Sequence, residues 1–267
     1  MLLSIVSSHG RRIACRMLCL FLLLCLAGEF VCSEESLEPS STCNTREQEV
    51  AVWIEKARNS GCLDVEFYPA NKRPKPFDGW TDFHLSLEYK YNHNVRWKGA
   101  KGKVLDVSIV PAFTTIKPSI SHMIKLPESI ERDQWHTSVL GRHELDHVAI
   151  GMHPRLMMLA THLVKNLGRL SRTAGSTSEV TLKWAQEEIN SAVDARTQAL
   201  HSLVVINNER LDSLTRHGGR DLVERGTFFE RLYLKENLDE VKFRFLGESM
   251  KLLDTKEYQE ATLPFPH

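Results

Sequence analysis

The hydrophobic positions of this chain change period about a third of the way along, and that change divides the fold. Phe83, Leu85, Leu87, Tyr89 and Tyr91 alternate with polar neighbours, the period of a half-buried strand. Asn92-His93-Asn94 reads as a turn into a second short strand at Val95–Trp97. The β-branched run from Val104 to Ala112 predicts a third strand, and Ser121–Leu126 a fourth. Beyond Leu126-Pro127 the period becomes helical. A helix is expected from about Gln134 to His147, capped by Ser129 or Asp133 and interrupted by Gly151 and Pro154. A second is expected over Arg155–Leu170, where Leu156, Leu159, Leu163 and Leu167 share one stripe. Arg172–Ser178 reads as a loop, and Val180 to about Arg210 as a third long helix. The pattern is that of an α+β domain, a small antiparallel sheet packed against helices.

The ends read differently. Arg11, Arg12 and Arg16 precede the apolar run Met17–Ala27, which predicts a signal peptide over residues 1–33, cleaved after Gly28 or Ser33. The expected location is secreted or periplasmic, with no stable membrane span once the leader is removed. Residues 34–79 read as a polar linker carrying a short amphipathic helix at 46–59. Residues 219–267 form a charged extension with Leu232, Leu234, Leu238, Val241, Phe245 and Leu252 at loose helical spacing. That extension predicts one or two helices packed on the domain, or a surface for a protein partner. Of six cysteines, four lie in or next to the leader, which leaves Cys43 and Cys62 as an expected disulfide.

Lys plus Arg number 34 and Asp plus Glu number 34, so nothing in the charge balance points to nucleic acid. The chemistry concentrates in His143-Glu-Leu-Asp-His147. On a helix, residues four apart lie on one face with Cβ atoms roughly 5–6 Å apart, so both imidazoles reach one cation. Glu144 is rotated beside that cation, where it can act as general base on a zinc-activated water. Catalytic zinc normally takes three protein ligands. His153 stands at the spacing of an extended H-E-x-x-H-x-x-G-x-x-H pattern, although the glycine falls one place late, at Gly151. Glu179, Glu187 and Glu188 offer a set like that of thermolysin, and His217 a third route. His84, His93, His122, His136, His162 and His201 have no partner at ligand spacing and read as surface or core residues.

From about Trp80 to Gly218 the chain resembles a bacterial family of predicted secreted zinc-dependent proteases. The likeness lies in the order of two strands, a Leu126-Pro127 step, Trp135, the His143–His147 motif and a helix ending in Asp212-x-x-Thr215-x-His217-Gly218. The resemblance implies a zinc-protease-like domain over residues 80–218. It implies His217 as the third metal ligand, His153 being the alternative, with Asp212 and Thr215 supporting the ligands. Leu211 replaces the family's tyrosine, and Asp146 stands where a small residue is expected. The expected function is an exported zinc metallopeptidase acting on a peptide or protein substrate. The alternatives are a non-catalytic binding module on the same scaffold and a zinc amidase of cell-wall peptides. An extended substrate is expected to pair with an edge strand at Val104–Val110.

Overall fold

The structure, a computed structural model of the 267-residue chain, describes residues 5–11, 44–69, 71, 77–99 and 104–263. Two long antiparallel strands form its spine: β3 (Trp80–Lys98) and β4 (Leu105–Pro127). The turn expected at Asn92-His93-Asn94 is absent because the alternation does not stop there. Tyr91, His93 and Val95 are all buried on the same face as Leu85, Leu87 and Tyr89. The irregularity lies earlier, in a register shift between Lys90 and Tyr91. The expected third and fourth strands are likewise one strand, running through Pro111 and Pro118. Proline gives up a ladder N–H, which a strand tolerates where one side is unpaired. Both prolines lie between the stretches of β4 that pair with other strands on its second side, Leu105–Ile109 and His122–Pro127.

Those stretches take β5 (Leu170–Ala174), antiparallel, and β2 (Leu63–Tyr68), parallel. The sheet is therefore mixed and not purely antiparallel, and neither β2 nor β5 was among the expected strands, although Leu63, Val65 and Phe67 alternate with Asp64 and Glu66. Because Leu105–Ile109 pairs with β5 on one side and β3 on the other, Val104–Val110 is not the free edge expected for a peptide. β1 (Ile5–Arg11) pairs antiparallel with Tyr89–Val95 of β3. The rest of the expected leader, including Met17–Ala27 and both cleavage points, lies outside the described residues. Cys43 lies outside them too, and Cys62 is a free, partly exposed thiol. Among the described residues no helix is long and apolar enough to cross a membrane.

Helix α1 (Asn44–Asn59) packs Ile54 and Ala57 into a cluster with Leu63, Ile124, Leu126, Trp135, Leu145 and Val148. Helix α2 (Val139–Met152) starts later than expected, because Trp135–Thr137 forms a short 3-10 turn that buries Trp135. Its N-cap is Ser138, whose hydroxyl accepts from Gly141 N at 2.9 Å and donates to Trp135 O at 2.7 Å. The helix then presses against that turn so closely that a Cβ on Gly141 would stand 1.8 Å from Trp135 O. Helix α3 (Pro154–Lys165) begins with Pro154 at its first position, where a missing N–H costs nothing. Helix α4 (Leu182–Thr215) spans the molecule, packing its first half on the β3–β4 sheet and its second half on α2 and α3.

The extension folds as four short helices, α5 (Arg225–Arg231), α6 (Lys235–Glu240), α7 (Leu246–Leu253) and α8 (Lys256–Gln259). It shares a core with what precedes it: Leu222, Phe229, Leu232, Tyr233, Leu238, Phe243, Phe245, Leu253 and Tyr258 join the cluster of α3 and α4.

Candidate metal centre

Helix α2 buries ten of its residues, among them His143, Glu144, Asp146 and His147. Charged groups are kept in such a place only when something compensates them. His143 and His147 face α4, where Asn208, Asp212 and Thr215 form a polar stripe at i, i+4 and i+7. His143 Nε2, His147 Nε2 and Asp212 Oδ1 converge in a near-equilateral triangle with sides of 3.1, 3.2 and 3.3 Å.

The outer nitrogens fix which atoms face inward. Thr215 Oγ1 donates its proton to Leu211 O at 2.9 Å, so it accepts from His143 Nδ1 at 3.2 Å. His147 Nδ1 donates to Asn208 Oδ1 at 3.0 Å. Both rings then turn Nε2 toward a carboxylate oxygen, so three atoms that can serve as metal ligands converge once the ring protons are given up. Tetrahedral zinc with bonds of about 2.0–2.1 Å to nitrogen and oxygen sets its ligand atoms about 3.3 Å apart, which is the spacing found. The His143–His147–Asp212 group can hold a metal ion, and its outer hydrogen bonds are those that orient metal-bound imidazoles.

The electrostatics agree with that crowding. Burial works against charge on Asp212, but hydrogen bonds and charge from His143 and His147 outweigh it and hold the carboxyl well below its ordinary range. Burial likewise disfavours charge on His147, yet Asp212 and Glu144 leave its pKa raised. Glu144 is 1% exposed, and burial raises its pKa against the pull of His147, His143 and Thr81. Thr81 Oγ1, at the start of β3, donates to Glu144 Oε2 at 2.7 Å. The backbone just before Thr81 also lies over this carboxyl: a Cβ on Gly79 would be 2.7 Å from Glu144 Oε1.

His217 and His153 stand elsewhere than expected. Asp212 takes the third place in the converging group, and His217 sits behind it, Nδ1 3.5 Å from Asp212 Oδ1, its side chain 48% exposed and its ring stacked on Phe77 at 4.1 Å. Arg216, His217 and Gly218 all have positive φ, so the chain reverses at the end of α4 and carries His217 back over the centre. Gly218 is required there, since a Cβ would meet His143 Cδ2 at 2.9 Å. His153 is buried at the junction of α2 and α3, where Nδ1 accepts from Arg155 N and the ring packs on Tyr233. It caps a helix and does not join the group. Glu179 bonds Gly175 N, while Glu187 and Glu188 pair with Lys183 and Arg172.

Thr215 bonds His143 as the motif implied, whereas Asp212, expected as a supporting residue, stands in the converging group itself. Leu211, at the position of the tyrosine in the resembled family, is fully buried in the core. Asp146 pairs with Arg225 at 3.0 Å across a cavity of about 420 Å³ that also receives Arg142 and Asp221. Burial pushes its pKa up to about 7 against the pull of Arg225. Asn208, Thr81, Gly79 and Phe77 were not singled out in the sequence. Only Asn208 left a signal, as the first member of the Asn208–Asp212–Thr215 stripe.

No family model matches the chain, and neither the curated proteins nor the solved structures yield a match.

Proposed function

We propose that this chain is a zinc metallopeptidase, with His143, His147 and Asp212 as ligands and Glu144 as general base. The observation that carries the reading is the meeting of three potential ligand atoms beside a buried glutamate of raised pKa. Zinc held there would act as a Lewis acid, polarising a peptide carbonyl and acidifying water. Glu144 is the proton carrier. Burial brings its affinity for a proton closer to that of the groups it must exchange with, which is how a carboxylate serves as base and then acid near neutral pH. Thr81 holds one oxygen of that carboxyl and leaves the other to move the proton. Asp212 ties His217 beside the centre, where the half-exposed ring borders the substrate's approach. Export is part of the proposal and rests on the basic and apolar start of the sequence.

The test is metal content and peptide hydrolysis measured together on the full chain and three variants. The expected result is one zinc per chain, lost in Asp212→Ala and retained in His217→Ala. Glu144→Gln should keep the metal while hydrolysis falls by roughly 10²–10⁴, the usual contribution of general acid–base catalysis. Zinc bound without hydrolysis in the unaltered chain would favour a binding module on this scaffold. Zinc retained in Asp212→Ala but lost in His217→Ala would restore His217 as the ligand.

A further inference from the structure

We propose that the C-terminal segment Arg225–Gln259 sets the spacing between α2 and α4 at which the three ligand atoms meet, with Tyr233 as the positioning residue. The inference rests on reading that group as a metal centre and adds what holds it in register.

The argument starts from a proline. In an α-helix the carbonyl of residue 150 would accept from the N–H of residue 154, but Pro154 has none. Ile150 is fully buried, so its carbonyl would lack both helix and water as partners. Tyr233 OH supplies the missing donor at 2.7 Å. Ile150 lies three residues past His147, so this bond fixes the end of the ligand-bearing helix.

The same tyrosine reaches α4 through its backbone. Tyr233 N donates to Asn237 Oδ1 at 3.0 Å, and Asn237 Nδ2 donates to Asn207 Oδ1 at 3.3 Å. Asn207 is fully buried, donates its own amide to Leu203 O, and adjoins Asn208, the residue that orients His147. One continuous path thus links α2, the extension and α4. Tyr233 holds it with φ at +63°, a strained conformation for a residue with a side chain, which persists only where surroundings impose it.

Two further side chains impose it. Tyr258 OH donates to Tyr233 O at 2.7 Å. Arg155, one residue beyond Pro154 and 4% exposed, donates to the carbonyls of Glu230, Leu232, Tyr258 and Gln259 at 2.6–3.1 Å. With its hydrogen bonds made to main-chain carbonyls, this buried guanidinium pins the extension's backbone to the α2–α3 junction. The extension thereby grips both helices within two turns of the ligand atoms, which a metal requires to be held within about 0.5 Å.

The discriminating variant is Tyr233→Phe, which keeps the ring in the core and deletes the bond to Ile150. Asn237→Ser, which loses the link to Asn207, is the second. The control is Val107→Ala, in the separate cluster between the far half of the sheet and α4, which lowers stability without touching the path. Zinc affinity is measured on the full chain by chelator competition at a temperature where all are folded. Amide exchange across α2 and residues 203–215 is measured without metal. The expected result is zinc binding weakened about fivefold or more by either path variant, the scale of one lost hydrogen bond, and unchanged by Val107→Ala. Exchange should quicken in those two stretches for the path variants alone. Equal affinity in all four proteins, or equal loss in the control, overturns the proposal. If the unaltered chain binds no zinc, the metal reading fails separately, and exchange decides: selective quickening upholds the positioning role, and its absence removes it.

Discussion

Thr215 makes one hydroxyl do two things, donating to its own helix and accepting from His143, and only a hydroxyl can do both. Thr215→Val keeps the shape and should lower zinc affinity roughly 10–100-fold, the usual cost of losing an outer partner of a metal-bound imidazole, as read by competition with a chromophoric chelator. Asn208→Leu should act in the same direction through His147, whereas His217→Ala, outside the triangle, should cost less than either. The residues with fixed local spacing were legible in the sequence: His143 and His147 four apart, then Asp212, Thr215 and His217 at the end of a helix. Their division of labour was not. Whether Asp212 or His217 completes the group depends on the left-handed turn at Arg216–Gly218, which spacing alone does not reveal. Thr81 lies 63 residues from Glu144, and its role emerges only when β3 is laid against α2.

Elements were legible where their periodicity was uninterrupted and misread where a local breaker was given too much weight. Asn92-His93-Asn94 has turn composition yet continues a strand, because the inward positions on either side remain apolar and must be buried. The third and fourth strands were expected apart, but β4 runs on through Pro111 and Pro118, each falling where it lacks a second neighbour. β5 is too short to show a period, whereas β2 alternates over Leu63, Val65 and Phe67 and was overlooked; both pair along β4. Two glycines make the close packing of α2 testable. Gly141→Ala drives a methyl into the Trp135 carbonyl and should destabilise the chain by about 2–3 kcal/mol, measured by denaturant unfolding. Gly79→Ala meets Glu144 Oε1 and Leu140 Cδ1 and should impair hydrolysis out of proportion to its effect on the melting temperature.

Across the whole molecule, the sheet and the helices of α2–α4 meet at His122, whose ring lies against Gly151 of α2. Burial, against a raising contribution from the Cys62 carbonyl and with a further lowering from His147, takes its pKa down to about 4 from an ordinary 6.5. The folded protein thus resists a proton that the unfolded chain accepts. Stability from the neutral ring is complete above pH 6.5 and is lost as the pH falls through 4, a difference of about 3 kcal/mol. His122→Gln should flatten the pH dependence of unfolding between pH 6.5 and 4, and a slope equal to that of the unaltered chain would count against the assignment. At this scale the α+β class was legible, because the change of period is strong. The packing of the extension on the domain was one of the two expectations for it, but the extent of the union was not legible, since its charged surface hides how many of its apolar residues point inward.

That union bears on how the protein comes into being. By the time residue 212 has been synthesised, every atom of the triangle exists in the chain. The apolar faces of α3 and α4 nevertheless stay uncovered until Phe229, Tyr233 and Tyr258 arrive some 17 to 46 residues later. Synthesis therefore delivers a polypeptide that carries every residue of the triangle before it can close its shape. A chain ending at Gly219 would hold His143, His147 and Asp212 and still expose the surface on which α3, α4 and the last four helices meet.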